Sequence, residues 1–384
     1  MDREIVEIIP KLPTTLLCTV GTSLFHPNLD SVKEAEQPAL HAAYHGRDWE
    51  SVAASLFELD PRERLCGAEI NSVESLLQKG LVAGDVRLVF FRSDTDDGRD
   101  IGEVLCAYYA LRGIETETVR IEHLQDADPQ AFCRQGLREL AKAVCRTVRE
   151  YSPAWCAINA TGGYKAQIAV AVLLGQALGI PVYYKHERFD EIIAFPPMPV
   201  ALDFDYWMEI SGLLFDLARN NDVARFDDFE ITDSEQLQSL INVESIDGEA
   251  YVELSPTGQI FHETFRMRFQ DRLDQVLPPA VPGNQKQNPK WEDSGHIQNH
   301  PEIMDFMERL TKDIPQVRRC YTFWFNPRLQ QRTRARYGAK GIETVLSDGK
   351  YTAKIGVETS AANDSQRRAM VARINLWIDD EWRT

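Results

Sequence analysis

Short apolar runs alternate with longer amphipathic stretches over the first 200 residues of the chain. The runs have the length of strands and fall at Leu16–Val20, Val86–Phe91, Thr116–Ile121, Ala154–Asn159 and Val182–Tyr184. Repeated strand, helix, strand units predict a mainly parallel sheet with helices on both faces. We therefore predict an α/β, Rossmann-like domain over residues 1–202.

Acidic residues become frequent after this domain. Residues 203–253 carry 14 acids against two arginines. A helical pattern over Tyr206–Ala218 is followed by a strand pattern at Ala250–Leu254, and the Ser-Pro-Thr-Gly sequence behind it indicates a turn. We predict a small winged-helix-like connector over residues 203–258, whose acidity would repel the phosphates of DNA.

Residues 259–384 predict an α+β domain. A loop around Leu277–Gly283 precedes the first of its elements, and Asp348-Gly349 is a strong hairpin signal because Gly supplies the positive φ of such turns. The predicted elements are a helix at Pro301–Lys312, a strand near Cys320–Phe325, a hairpin of Ile342–Leu346 with Tyr351–Glu358, and a helix from Asn363 to Trp377.

Composition excludes several classes of protein. Nothing approaches the roughly 18 uninterrupted apolar residues that span a bilayer, so we expect no membrane association and a cytoplasmic location. The seven cysteines are scattered without a C-x-x-C pair, so we expect neither disulfides nor zinc.

Charge is unevenly distributed along the chain. The net charge is −17, yet the segment from Arg309 to Lys354 holds 11 Lys or Arg against three acids, a net of +8, which leaves −25 on the rest. A basic segment of this kind is typical of nucleic-acid binding. Acids of the connector, such as Asp227, Asp228 and Glu230, would mask it electrostatically in an inhibited state.

Three polar loops follow predicted strands of the first domain, where ligands bind on an open α/β sheet. In the third loop, Thr161 can donate a hydroxyl, Gly162 and Gly163 let backbone N–H groups approach a phosphate, and Lys165 adds charge. Neither the dinucleotide glycine pattern nor the Walker pattern is present, so neither NAD nor hydrolysed ATP is indicated. The loops are Gly21-Thr22-Ser23, Ser93 to Gly98 and Asn159 to Lys165.

These loops, with Ala68-Glu69-Ile70-Asn71-Ser72, resemble the CARF domains of ancillary proteins in type III CRISPR systems, over about residues 13–202. The resemblance implies a homodimer that binds a cyclic oligoadenylate, most often the tetra-adenylate, as allosteric activator, with no other cofactor. Slow, metal-free cleavage of that ligand by Thr161 and Lys165 is a further expectation. The implied ligand-binding residues are Gly21, Thr22, Ser23, Ser93, Thr95, Thr161, Gly162, Gly163 and Lys165.

Elimination narrows the activity of the C-terminal domain. No histidine has an arginine at the spacing of the HEPN ribonucleases. The restriction-type nucleases need an acid on one strand and Glu-x-Lys on the next, to hold Mg²⁺ and steady the phosphate. Glu343 could be the first acid, but the next strand reads Lys354-Ile355-Gly356-Val357-Glu358. A metal-independent ribonuclease can work with basic and aromatic residues, because the RNA 2′-hydroxyl supplies the nucleophile and Arg or Lys can stabilise the pentacoordinate phosphorane.

The helix, hairpins and closing helix resemble the RelE family of messenger RNA interferases, over roughly residues 285–378. The resemblance implies an endoribonuclease that cleaves mRNA on the ribosome. The candidate catalytic residues are Arg332, Arg334, Arg336 and Lys354 for charge stabilisation, with Tyr337 or Tyr351 for stacking or proton transfer. Two alternatives stay open: a CARF-gated, metal-dependent restriction-type nuclease, and a non-enzymatic regulator that binds nucleic acid or a protein when its ligand is present.

Overall fold

The computed structural model describes residues 12–186, 190–198, 203–219, 224–226, 235–291, 300–329, 331–338 and 341–382. The chain divides into two compact units, Met1–Ala201 and Leu202–Thr384. Asp227, Asp228 and Glu230, predicted to mask the basic segment, lie outside the described residues. Among the residues that are described, no helix is long and apolar enough to cross a membrane.

The first unit is built on a six-stranded sheet in the order β3-β2-β1-β4-β5-β6. Its first five strands are parallel and β6 runs antiparallel to β5. The predicted parallel α/β sheet is therefore confirmed, and β6 is an addition to it. The strands are β1 Thr15–Thr19, β2 Arg87–Arg92, β3 Thr116–Arg120, β4 Cys156–Asn159, β5 Val182–Lys185 and β6 Ile192–Phe195.

Helices cover both faces of this sheet. Apolar side chains of α2, α3 and α4 pack with Leu16 and Cys18 of β1 on one face, and α7 contacts β1, β4 and β5 while packing against α6. Strand β1 is buried at every residue, which its run of apolar and threonine side chains allows. The helices are α1 Pro38–His45, α2 Trp49–Phe57, α3 Gly67–Gln78, α4 Asp96–Leu111, α5 Pro129–Ala131, α6 Leu137–Tyr151 and α7 Lys165–Leu178.

The strand order reverses between β1 and β4. From β1 the chain moves outward to β2 and β3, and it then returns to place β4 and β5 on the other side. The loops after β1 and β4 consequently leave in opposite directions, which opens a crevice at the carboxyl ends of the strands.

The second unit begins with a helix, Phe204–Arg219, which is followed by a small antiparallel sheet in the order β7-β9-β8. The sequence Ser-Pro-Thr-Gly, predicted to be a turn, instead starts α10: the Ser255 hydroxyl accepts the Gly258 N–H at 3.0 Å, and Pro256 occupies the first helical position, where proline is favoured. The elements are α8 Phe204–Arg219, β7 Ala224–Arg225, α9 Glu235–Gln238, β8 Ile241–Ile246, β9 Glu249–Leu254, α10 Pro256–Asp271 and α11 Leu273–Val276.

A second sheet of this unit has the order β10-β11-β14-β13-β12. Strand β10 is parallel to β11, and the other neighbours are antiparallel. The predicted helices, strand and hairpin are present, and β10 and β12 are additions. The elements are β10 Lys290–Trp291, α12 Pro301–Asp313, β11 Val317–Asn326, β12 Arg334–Gly338, β13 Gly341–Ser347, β14 Thr352–Thr359 and α13 Asp364–Trp377.

The predicted connector and C-terminal domain share a core. Trp207 of α8 and Phe265 of α10 pack in one cluster with Ala372 and Leu376 of α13, and the predicted boundary at residue 258 falls within α10. The division into a winged-helix-like connector and a RelE-like domain stays a prediction.

Candidate functional site

Two glycine-containing loops meet in the crevice between β1 and β4. A Cβ atom placed on Gly21 would lie 2.5 Å from the backbone nitrogen of Gly163, a distance that real Cβ atoms do not reach. Only glycine at position 21 lets the loop after β1 come this close to the loop after β4. The two loops therefore form one continuous backbone surface.

The loop after β4 is fixed from below. Thr19 donates its hydroxyl to the carbonyl of Gly162 at 2.5 Å, and a Cβ on Gly162 would lie 2.6 Å from the carbonyl oxygen of Thr19. Gly163 has φ +97°, a conformation that side chains rarely adopt. The pair Gly162-Gly163 is thus required by both space and backbone conformation.

Helix α3 contributes a buried carboxyl to the same place. Glu69 is 1% exposed, and its Oε1 accepts the N–H of Gly21 at 2.7 Å. Burial raises the pKa of Glu69 to about 6, against the lowering effect of its backbone hydrogen bonds. Glu69 belongs to the segment 68–72 that resembles the CARF domains, but no role is predicted for it from the sequence, although an acid within a helix of mostly buried residues is a visible signal.

A hydrogen-bond chain links α3 to the loop after β4. Asn159 donates to the Ser72 hydroxyl at 2.8 Å and accepts from the Thr161 hydroxyl at 2.6 Å. Thr161 in turn accepts the N–H of Lys185 at 3.0 Å. The Thr161 hydroxyl, predicted to donate a hydrogen bond to a ligand, thus donates to Asn159 instead. A ligand would have to replace Asn159 as the acceptor of this hydrogen bond.

Helix α7 starts directly behind the glycines. Its first residue, Lys165, is exposed, and the Tyr164 N–H is satisfied by Oε1 of Gln167 at 2.6 Å. The positive end of the helix dipole and the Lys165 ammonium both favour an anion at this edge of the sheet.

The predicted residues of the loop after β1 lie beside the glycines. The carbonyl of Thr22 accepts the N–H groups of Phe25 and His26 at 3.0 and 2.8 Å. The Ser23 hydroxyl is buried and has no hydrogen-bond partner among the described residues. The Ser23 hydroxyl, which can both donate and accept a hydrogen bond, therefore lies next to the crevice without a hydrogen bond to any described residue.

Ser93 and Thr95 lie at the carboxyl end of β2, the other neighbour of β1. Their hydroxyls are 2.8 Å apart, and the Thr95 hydroxyl caps α4 by accepting the Gly98 N–H at 3.0 Å. The structure thus brings all three predicted loops to one edge of the sheet, with Thr95 engaged in a helix cap.

In the second unit, two of the predicted catalytic residues are buried. Arg334 is 7% exposed and pairs with the buried Asp216 of α8. Tyr351 is 2% exposed and lies 4.4 Å from the His300 ring, centroid to centroid, and burial raises its pKa. In this conformation neither side chain can reach an RNA.

The other four predicted residues are more accessible. Arg336 pairs with Glu343 at 2.5 Å, the Lys354 ammonium lies 5.1 Å from the centroid of the Trp324 ring, and Tyr337 is 50% exposed. Arg332 is half-buried, and its Nη1 has no hydrogen-bond partner among the described residues.

Strand register groups some of these residues on one face of the second sheet. Helices α12 and α13 pack on the face that carries Ala335, Leu346 and Ile355. Because side chains alternate along a strand, the pairings place a mixed aromatic and basic set on the opposite side. We call this the polar face, and it consists of Arg319, Tyr321, Trp324, Arg336 and Lys354.

The polar face is ordered by stacking and ion pairing. The Tyr321 ring lies over Gly356, where a Cβ would come within 2.3 Å of the ring, and the Arg319 guanidinium lies 5.7 Å from the centre of that ring. Arg319 also pairs with Glu358 at 2.5 Å. Arginine and aromatic rings held on one sheet face are suited to contact phosphates and unstacked bases.

Carboxylates also occur on this face. Glu343 and Glu358 project from β13 and β14, and each is paired with an arginine. Among the residues that the structure describes, no group of three or more His, Cys, Asp or Glu side chains is arranged to hold a metal ion.

Fold and site together define the first unit as a doubly wound, mainly parallel α/β domain with an anion-favouring crevice at its switch point. Residues 64–198 match the family model described as CRISPR-associated protein (Cas_APE2256). This match supports the prediction of a CARF-type CRISPR ancillary protein.

Two solved structures are similar to the chain at low identity. One is Can2 from Sulfobacillus thermosulfidooxidans, in complex with cyclic tetra-adenylate, with 13% identity, a TM-score of 0.24 and coverage of 69% of this chain. The chain spans 66% of Can2, just under two thirds of its length. The other is protein VC1899 from Vibrio cholerae, with 8% identity, a TM-score of 0.27, and coverage of 90% of this chain and 78% of that one.

Proposed function

We propose that the protein is a ligand-activated effector of type III CRISPR defence, whose first unit binds a cyclic oligoadenylate, with cyclic tetra-adenylate as the first candidate. The main support for this proposal is the crevice between β1 and β4, where the strand order reverses. There Gly21 and Gly163 bring two backbone loops together in front of the start of α7. The match of residues 64–198 to a CRISPR-associated family supports the same proposal.

The crevice chemistry suits a ring of phosphodiesters. Backbone N–H groups of the glycine loop, the positive end of α7 and the Lys165 ammonium would face the negative charge. A cyclic ligand with repeated phosphates is best matched by two copies of the same loops, so we propose a homodimer in which each protomer contributes one crevice. Slow cleavage of the ring by this unit is a further part of the proposal, with Lys165 stabilising charge on the attacked phosphate.

For the second unit we propose a metal-independent endoribonuclease of the RelE type that cuts mRNA on the ribosome. In the chemical step the RNA 2′-hydroxyl loses its proton and attacks the adjacent phosphorus. The bond to the 5′-oxygen breaks, that oxygen takes up a proton, and a 2′,3′-cyclic phosphate remains. Lys354 and Arg336 of the polar face would stabilise the charge on the phosphorane oxygens.

The roles of the two tyrosines divide under this proposal. Tyr337 is exposed, but its pairing with Ile342 places it on the helix side of the sheet, so it can stack on a base only at the β12 edge, outside the polar face. Tyr351 is buried against His300. Tyr321 and Trp324 offer aromatic surface within the polar face itself. Arg334, held by Asp216, would act only by supporting β12.

The test uses the purified full-length protein in two assays, each with and without cyclic tetra-adenylate: mRNA alone in EDTA, and mRNA with translating ribosomes in the Mg²⁺ buffer that ribosomes need. Cleavage that requires both ligand and ribosomes supports the proposal. Cleavage of mRNA alone that appears when Mg²⁺ or Mn²⁺ replaces EDTA indicates the restriction-type nuclease, for which Glu343 and Glu358 are the candidate acids. Ligand-dependent RNA binding without any cleavage indicates the non-enzymatic regulator.

Two variants sharpen this test. Lys354→Ala should abolish cleavage while leaving ligand binding intact, and Lys312→Ala is the matched control because Lys312 is an exposed lysine of α12, on the helix side of the sheet. Size-exclusion chromatography with light scattering, run with and without ligand, measures the oligomeric state. A monomer in both conditions would contradict the proposed homodimer.

A further inference from the structure

Helix α3 touches both loops of the crevice through two residues that are one helical turn apart. The Glu69 carboxyl accepts a hydrogen bond from the N–H of Gly21, in the loop after β1. The Ser72 hydroxyl accepts one from the side-chain NH₂ of Asn159, and the side-chain oxygen of Asn159 accepts one from the Thr161 hydroxyl in the loop after β4. Residues separated by three lie on the same face of a helix, so one turn of α3 holds both sides of the crevice.

The Glu69 carboxyl lies directly beneath the glycines. A Cβ on Gly162 would lie within 2.2 Å of its Oε1, and a Cβ on Gly21 within 3.6 Å of the same atom. Its second oxygen, Oε2, is buried and has no hydrogen-bond partner among the described residues. A carboxyl that satisfies only one oxygen is costly to keep charged in such a place.

We propose that Glu69 and Ser72 are positioning residues of the crevice, and that the charge on the Glu69 carboxyl opposes the binding of an anionic ligand. This inference rests on the proposed function for the nature of the ligand. Neither residue needs to touch the ligand: Glu69 acts through the Gly21 backbone and through its field, and Ser72 acts through Asn159 and Thr161.

Among the groups described around Glu69, its own carboxyl is the one whose charge changes with pH. The titratable group that faces it from β1 is the Cys18 thiol, which is fully buried and whose pKa is raised by that burial, so it is neutral. The described loop residues that lie against its carboxyl are Gly21 and Gly162, which carry no titratable side chain. An anionic ligand above these glycines therefore favours the protonated carboxyl.

The sign of the pH dependence follows from this. Without ligand the pKa of Glu69 is already raised to about 6 by burial, and a bound anion raises it further. The complex takes up a proton when it forms above that pH. Affinity should be constant below the ligand-free pKa and should fall as the pH rises above it.

The experiment measures the binding of cyclic tetra-adenylate to the full-length protein between about pH 5.5 and about pH 8.5. If binding raises the pKa of Glu69 by about one, the affinity should fall about tenfold over this range. Wild-type protein should show this loss. Glu69→Gln, whose amide oxygen can still accept the hydrogen bond from the Gly21 N–H, should bind with an affinity that does not fall as the pH rises. At about pH 5.5, where the wild-type carboxyl is mostly protonated, Glu69→Ala and Ser72→Ala should bind about tenfold more weakly than the wild type, because the loops lose their support.

A control and a ligand-free measurement complete the test. Glu103→Gln removes one negative charge from an exposed position of α4 and should keep the wild-type pH dependence. Hydrogen exchange of the ligand-free protein should show that Gly21 loses protection in Glu69→Ala and keeps it in Glu69→Gln.

The outcomes separate the two proposals. Equal pH dependence of the wild type and Glu69→Gln, or unchanged Gly21 exchange in Glu69→Ala, would overturn the role of Glu69 while leaving the ligand assignment intact. Wild-type protein that fails to bind cyclic tetra-adenylate at any pH would overturn the proposed function and the charge effect together.

Discussion

Gly21 and Gly163 show how single residues shape the crevice. Each belongs to a loop that follows a parallel strand, and their backbones approach so closely that neither loop leaves room for a Cβ at position 21. The sequence alone marks both as glycines at strand ends, where a turn would be sufficient explanation. Their mutual contact depends on the strand order, which puts β1 next to β4.

We expect Gly21→Ala to destabilise the protein by about 1–3 kcal/mol, because the added methyl group must push the Gly163 backbone aside. Thermal unfolding of the full-length protein measures the change. Gly84→Ala is the control, since a Cβ at Gly84 meets nothing within 4 Å and should change the stability by less than about 0.5 kcal/mol. Equal unfolding temperatures for the two variants would show that the loops do not meet as described.

Arg334 shows how the surroundings decide the role of a residue. In the sequence it is one of three arginines at alternate positions, all equally plausible for phosphate contact. In the fold it is covered by α8 and paired with Asp216, which is completely buried. Its neighbour Arg336 faces Glu343 instead and keeps a third of its side chain exposed.

We expect Arg334→Met to lower the free energy of unfolding by about 3–5 kcal/mol, because Asp216 would remain as a buried charge without its partner. Urea unfolding measures this loss, and Arg328→Met, at an exposed position, should leave the midpoint nearly unchanged. A stable Arg334→Met protein that has lost only RNA cleavage would instead support the catalytic role predicted from the sequence.

At the scale of elements, strongly patterned segments were predictable and weakly patterned ones were not. Helix α13 was predicted from Asn363 onward, and Asn363 does cap it by accepting the Gln366 N–H at 2.9 Å. The start of α10 was missed because Ser-Pro-Thr-Gly is compatible with both a turn and a capped helix. Strand β6 is an apolar run of only four residues without alternation, Ile192–Phe195, and a run this short does not by itself distinguish a strand from other structure.

We expect Asn363→Ala to cost about 1 kcal/mol of stability, the usual value of a lost N-cap hydrogen bond. The midpoint of urea unfolding should fall, and Ser365→Ala, at an exposed position inside the first turn of α13, serves as control. A smaller loss in Asn363→Ala than in the control would show that α13 does not depend on its cap.

At the scale of the whole molecule, the charge is divided. The chain carries −17, while the segment Arg309–Lys354 carries +8, and this segment supplies the whole polar face. Several of its basic residues are paired with acids, among them Arg319, Arg334 and Arg336. The excess available to a nucleic acid is therefore smaller than the sequence count indicates.

We expect the full-length protein to bind a single-stranded DNA oligonucleotide, which lacks the 2′-hydroxyl and cannot be cut by the proposed chemistry, with an affinity that falls as salt rises. Lys354→Ala should reduce the slope of log affinity against log salt by about 0.7, the value for one phosphate contact on a single strand. Fluorescence anisotropy measures the slope. If Lys312→Ala reduces it equally, the polar face is not the binding surface.

The sequence by itself determined the alternation of strands and helices, the parallel sheet of the first unit, the three polar loops and the segregation of charge. These are properties of short segments, and local periodicity and turn residues suffice to specify them. The tertiary structure alone decided which loops touch, that Glu69 and Ser72 support both of them, and that Arg334 and Tyr351 are buried while Lys354 and Arg336 remain accessible. Such outcomes depend on strand order, register and covering helices, which are set by contacts between residues far apart in the chain.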